Sequence, residues 1–345
     1  MVHINPSILV IYTGGTIGMM QNHKTGTLQP LNFEQISLQV PELMKFGYNL
    51  YTISFEPPMD SSDIGPDIWV KIAEIIYDHY NQYDGFVILH GTDTMAYSAS
   101  ALSFMLVNLD KPVIFTGSQL PIGVLRTDGK ENIITSVEIA AGKEFEKPVV
   151  PEVCIYFENR LYRGNRTTKI NADNFNAFLS PNYPPLAKAG VQIRYNRELI
   201  LYPRGHKPLK ILTKFDNRIA VLKLFPGMSK AFVNSVLEIP GLRGVILETF
   251  GSGNAPADEW FIRSIRIAVE NGIVVLDVTQ CYSGSVELGR YETSRRLYEA
   301  GVISGYDITT EAATTKMMIL FGQDYNAEEI KLLLNSSIKG EITIS

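Results

Sequence analysis

The chain has 345 residues, of which 45% are apolar and 19% charged, with a formal net charge of −5. That length and apolar fraction suit one large domain or two ordinary ones with a substantial core. The charges are scattered and slightly acidic in balance, which argues against a nucleic-acid or anionic-membrane partner, and two cysteines, Cys154 and Cys281, are no disulfide framework but two reduced, semi-buried thiols.

Residues 8–12, ILVIY, read as a buried strand that runs into a glycine loop, YTGGTIGMM. The apolar run is too short for a signal-peptide core, no basic leader precedes it, and no stretch approaches the length of a membrane span, so a cytoplasmic protein is expected. YNLYTISFEP (48–57) reads as a second strand. A helix start at Ser62 or Asp63 follows, with Ile68, Ile72, Ile75, Ile76 and His79 at helical spacing. GFVILHG is strand, TMAYSASALSFMLVN a helix packed through its small residues, KPVIFTG strand, and DGKENIITSVEIAA helix. EVCIYFENRLYRGN reads as strand, turn and strand. The alternation predicts βαβ units: a doubly wound, mostly parallel sheet with helices on both faces.

Residues 184–214 are rich in Pro, Arg and Lys and have no helical period, so they read as a connection. A second α/β run follows: strand RIAVLKLFPG, helix SKAFVNSVLEI, strand RGVILETFGSGN, helix DEWFIRSIRIAVENG and strand IVVLDVTQC, with three helix-like segments closing the chain. The expected organisation is an α/β chain of two domains. Residues 1–190 form the larger N-terminal domain, 191–214 the connection, and 215–345 the smaller C-terminal domain.

The glycine loop invites a nucleotide reading, which its spacing defeats. A dinucleotide fingerprint needs G-x-G-x-x-G opening a helix and an acidic residue about 20 positions on. Gly14, Gly15 and Gly18 give G-G-x-x-G, the following QNHKTGTLQP has a loop-like composition, and the next strand begins near Tyr48. The Gly-Lys-Ser/Thr ending of an NTPase phosphate loop is absent.

What remains are three polar loops at three strand ends: Thr13–Gly18, Asp60–Asp63 and Thr92–Thr94. In an open parallel sheet such loops share the ligand crevice. Hydroxyls and carboxylates there suit a small polar substrate with an amine and a carboxylate. A threonine nucleophile needs a base or a polarising relay, and a neutral lysine serves if burial or a neighbouring cation lowers its pKa. Lys169, near Arg163 and Arg166, is the candidate. Taken singly, each residue has an ordinary reading as a cap, a turn or a solvated charge.

Seven segments together resemble the bacterial-type L-asparaginase family. They are TGGTIG (13–18), MDSSD (59–63), HGTDTM (90–95), TGSQLP (116–121), RTDGKENI (126–133), TTKINADNFNAF (167–178) and GSGNAP (251–256), in family order over nearly the whole chain. The YTGGTIGM and MDSSD variants resemble the cytoplasmic type I branch. The resemblance implies cofactor-free, metal-free hydrolysis of L-asparagine to L-aspartate and ammonia through a β-aspartyl-enzyme intermediate. It implies Thr16 as nucleophile and Thr92, Asp93 and Lys169 as a second triad, with Lys169 acting on Thr92 as base or proton relay. Asp93 would hold the substrate ammonium, Asp60 and Ser61 its amino-acid end, and backbone N–H groups near Thr92 the oxyanion. Asn254 matches a residue that reaches in from a partner subunit, so a homodimer or a dimer of dimers is implied.

The chain departs from the family pattern in two places. Thr27 or Leu28 stands where many members have a lid tyrosine. Glu248 replaces an arginine that some type I enzymes use in an allosteric asparagine site, so that site is not expected here. The alternatives are an asparaginase-like subunit of a tRNA-dependent amidotransferase, which usually has a domain before TGGT, and a non-catalytic amino-acid-binding or lysophospholipase-type relative.

Overall fold

The computed structural model describes residues 5–21, 28–30, 35, 38–203, 205, 207–290 and 292–344. They divide into two compact units, 1–213 and 214–345.

The first unit is built on an eight-stranded sheet. Its strands are β1 (Ser7–Gly14), β2 (Asn49–Met59), β3 (Gly85–Leu89), β4 (Val113–Thr116), β5 (Val153–Phe157), β6 (Arg160–Arg163), β7 (Ala187–Lys188) and β8 (Arg194–Tyr195). The spatial order is β8-β7-β6-β5-β4-β3-β1-β2, parallel from β2 to β5 and antiparallel from β5 onward. Helices α1 (Pro66–His79), α2 (Met95–Met105) and α3 (Gly129–Ala141) make the crossovers. Ile133 and Val137 of α3 pack on Val10, Val87, Ile114 and Tyr156, one face of the sheet. The alternate residues Leu9, Ile11, Phe86, Ile88 and Phe115 are equally buried on the other face. Burial on both faces makes these strands continuous apolar runs.

Two expectations need correction. The helix start placed at Ser62 or Asp63 is instead a separate 3₁₀ turn, Ser61–Asp63, capped by the Asp60 side chain. Helix α1 begins at Pro66 after Gly65, because proline's fixed φ suits the first helical position, where no N–H partner is needed. The segment expected as a linker, 191–214, supplies β8, which pairs with β7 just before it, and the first unit continues to Thr213. The β5–β6 turn has positive φ at Glu158 and Asn159, the two-residue geometry that matches strand twist.

The second unit has a parallel four-stranded sheet in sequence order: β9 (Ile219–Lys223), β10 (Gly244–Thr249), β11 (Val274–Thr279) and β12 (Ile303–Ser304). Helices α4 (Lys230–Leu237), α5 (Glu259–Glu270) and α6 (Glu292–Glu299) cover one face through Val233, Phe261, Ile265 and Leu297. Helix α7 (Thr310–Gly322) packs on the sheet, and α8 (Ala327–Leu334) packs on α7. Cys154 is buried and Cys281 exposed, against the expectation of two semi-buried thiols; both are free. No helix among the described residues is long and apolar enough to cross a membrane.

Candidate active site

Sheet order in the first unit reverses between β1 and β3: from β1 the chain crosses to β2 on one side, then to β3 on the other. The loops leaving the carboxyl ends of these two strands diverge there, opening the crevice that such sheets use for ligands. Thr16 follows β1 and Thr92 follows β3, so the topology seats both threonines at the switch point.

Small residues let the loops close on each other. Gly15 has φ +85, and a Cβ on it would lie 2.4 Å from the Gly91 Cα. A Cβ on Gly91 would in turn lie 2.6 Å from the Ser61 Oγ. Any side chain at either position forces the loops apart. The Gly15 N–H donates to the Met59 carbonyl at 3.2 Å, and the Thr94 hydroxyl donates to the Ser61 carbonyl at 2.6 Å. Thr16 then opens a 3₁₀ turn, Thr16–Gly18, and is half-buried.

Asp60 is exposed and accepts hydrogen bonds from the Ser62 N–H and hydroxyl, both at 2.8 Å. These bonds, the backbone one first, hold its carboxyl below the usual range. Ser61 is buried against Gly91.

Thr92, Asp93 and Lys169 meet directly. Lys169 stands on a short hairpin, Thr168–Lys169 paired with Phe178–Leu179. Its Nζ donates to the Thr92 Oγ1 at 2.8 Å and to the Asp93 Oδ1 at 2.6 Å. The Lys169 side chain is 16% exposed and that of Asp93 68%, so the carboxylate faces solvent while the ammonium lies beneath it. Arg163 is buried in an ion pair with Glu152 and donates to the Leu199 carbonyl.

Behind Thr92 lies His90, fully buried. The Gly91 carbonyl can only accept, so Nδ1 donates to it at 2.6 Å, and Nε2 accepts from the Ser98 hydroxyl at 2.9 Å. The Trp69 indole N–H donates to the same hydroxyl. Burial lowers the His90 pKa to about 4, so it is neutral near pH 7. Gln119 is a further polar neighbour that the sequence alone does not single out. It stands in TGSQLP and accepts from the Thr92 hydroxyl at 3.2 Å. The motif flagged the segment, but only tertiary placement reveals the contact.

Asn254 belongs to the second unit, in a turn where its N–H donates to the Phe250 carbonyl and its carbonyl accepts from the Phe250 N–H. Glu248 accepts from the Thr310 hydroxyl at 2.7 Å and pairs with Lys223 at 3.2 Å. Thr27 and the side chain of Leu28 lie outside the described residues. No group of three or more His, Cys, Asp and Glu side chains suited to a metal occurs among the described residues.

Residues 7–201 match the family described as Asparaginase, N-terminal, and residues 218–334 match the Glutaminase/Asparaginase C-terminal domain. The chain belongs to the asparaginase family. This family member is 44% identical to L-asparaginase 1 of Escherichia coli K12 over 98% of both chains. It is 40% identical to the solved L-asparaginase I of Vibrio cholerae, with a TM-score of 0.88 over 99% of this chain and 100% of that one. It is also 39% identical to the 60 kDa lysophospholipase of Mus musculus, over 98% of this chain and 62% of that protein. The first two names agree with the type I resemblance read from the motifs.

Proposed function

We propose that this chain hydrolyses L-asparagine to L-aspartate and ammonia, with Thr16 as nucleophile. The observation that carries the reading is the Lys169–Thr92–Asp93 cluster, set at the same switch point as Thr16 on loops interlocked through Gly15 and Gly91. Identity to named L-asparaginases over nearly the full length supports it.

The mechanism follows from what each group can do. The Thr16 hydroxyl attacks the side-chain amide carbon, and its proton passes to a basic group as the C–O bond forms. The tetrahedral intermediate collapses with expulsion of ammonia, which leaves as a neutral molecule after gaining a proton. A water then adds to the β-aspartyl ester, aspartate departs, and Thr16 regains its proton. Lys169 and Thr92 form the proton-handling pair for these transfers. Asp93, exposed and anionic, attracts the substrate ammonium, and Asp60, held ionised by Ser62, adds to that attraction. The chemistry needs no cofactor. Asn254 of a second copy completes the site in a homodimer or a dimer of dimers, and the enzyme works in the cytoplasm.

An ammonia-release assay across L-asparagine, L-glutamine and their D-isomers tests the reading. L-asparagine should be the preferred substrate, and Thr16→Ala should abolish turnover while L-aspartate still binds. Wild-type turnover by Thr16→Ala would remove Thr16 from the mechanism.

A further inference from the structure

We propose that Gln119 is a positioning residue that sets the direction of the Thr92 hydroxyl proton and tethers the hairpin carrying Lys169. The proposal rests on the reading of Lys169 and Thr92 as the proton-handling pair. A threonine hydroxyl has one proton to donate. Here it goes to the Gln119 Oε1 at 3.2 Å, so Thr92 can only accept from Lys169, whose Nζ lies 2.8 Å away.

The other end of the same amide reaches the hairpin. The Gln119 Nε2 donates to the Asn174 carbonyl at 3.0 Å, in the loop that joins Lys169 to Phe178. The Asn174 contact fixes the amide's orientation chemically and leaves its oxygen toward Thr92. Asn174 offers a carbonyl, which accepts only from the nitrogen, and Lys169 already supplies a donor to Thr92, which leaves the Thr92 proton for the oxygen. Exchanging the two ends would set two acceptors, the Gln119 oxygen and the Asn174 carbonyl, against each other and lose that bond.

Gln119 is itself held firmly. Its backbone N–H donates to both oxygens of Asp128, at 3.1 and 3.0 Å, and the Leu120 N–H adds a bond at 3.2 Å. Asn132 of α3 donates to the Gly117 carbonyl at 2.9 Å and to Asp128 at 3.3 Å. The turn is thus fastened to the start of α3, and the side chain projects from a rigid base.

The consequence concerns proton direction. With no substrate bound, the Thr92 proton points at Gln119, and Lys169, an ammonium paired with Asp93, only donates to Thr92. For Lys169 to take a proton from Thr92, the amine must first give up one of its own, and the hydroxyl must turn away from Gln119. Gln119 therefore acts on the chemical step more than on substrate binding, while its grip on Asn174 keeps the Lys169 amine within reach.

Two variants test this. Gln119→Met fills similar space but neither donates nor accepts. Gln119→Glu keeps an acceptor for Thr92, loses the donor to Asn174 and adds an ionisable group beside the pair. For L-asparagine, Gln119→Met should lower kcat about 10-fold or more and change KM less than about 3-fold, with an unaltered thermal melt. Gln119→Glu should add an ionisation on the acid side of its kcat profile that the wild type lacks. Both variants should speed hydrogen exchange across 168–179, a readout that needs no turnover.

A wild-type kcat for Gln119→Met, a Glu-variant pH profile that overlays the wild type, or unchanged exchange at 168–179 would overturn the proposal. If the Met variant fails to fold, the Glu variant decides by the same two readouts. If the wild-type protein releases no ammonia from asparagine, the functional reading fails and the direction-setting role with it, and exchange alone then decides the tether.

Discussion

Gly15 and Gly91 touch backbone to backbone: a methyl group on the first would stand 2.4 Å from the Cα of the second. Gly15 also sits at φ 85 and ψ 173, a region essentially reserved for glycine, where alanine costs about 1–3 kcal/mol before any clash. Gly15→Ala should therefore push apart the loops that carry Thr16 and Thr92. The expected loss in kcat/KM is about 100-fold, the scale set by an ångström of misplacement. Steady-state kinetics beside a thermal melt will separate this displacement from global unfolding.

Removing the amine while keeping the stem isolates its chemistry. Lys169→Met should lower kcat by about 10²–10⁴-fold, the range of lost acid–base assistance. Its effect on KM should be smaller, and a kcat near wild type would exclude Lys169 from proton transfer.

The second unit holds a buried carboxyl that makes stability depend on pH. Asp277 is fully buried, accepts from the Thr249 hydroxyl at 2.7 Å, and burial pushes its pKa up from 3.8 to about 7. Between pH 4 and 7 the folded chain keeps a proton that the unfolded chain has released. This group's contribution is therefore fully present below pH 4, falls as pH rises, and is lost above pH 7. At about 1.4 kcal/mol per unit, the upper bound is about 4 kcal/mol. Asp277→Asn keeps the acceptor for Thr249 and cannot ionise. Urea melts should show it more stable than wild type at pH 8, with the difference shrinking toward pH 4.

Lys316 and Glu341 form an ion pair at 2.6 Å with both side chains fully buried. The lysine also donates to the Leu334 and Ser336 carbonyls, and the glutamate accepts from the Ile338 and Lys339 N–H groups. Lys316→Met strands a buried carboxylate and should cost about 3–5 kcal/mol. Adding Glu341→Gln should recover part of that loss, and denaturant melts of the single and double variants measure the coupling.

The parallel strands were legible because burial on both faces leaves them as apolar runs, as in ILVIY and GFVIL. The start of α1 is masked in the sequence because Asp60, Ser61 and Ser62 carry cap chemistry that serves a different turn. β7 and β8 are two residues each, too short to show any period. Thr92, Asp93 and Lys169 were named from motifs and do converge. Gln119 was not, because an isolated glutamine advertises no chemistry until its neighbours are known.

The Lys169–Thr92 contact joins residues 77 positions apart. Between them the chain must lay down β4 beside β3 and β5 beside β4, turn through β6, and fold the hairpin back. Contacts of such sequence separation form slowly, since the loop entropy is lost before the contact repays it. Catalytic competence thus belongs to the nearly finished sheet, and regained turnover on refolding will lag behind regained helix signal.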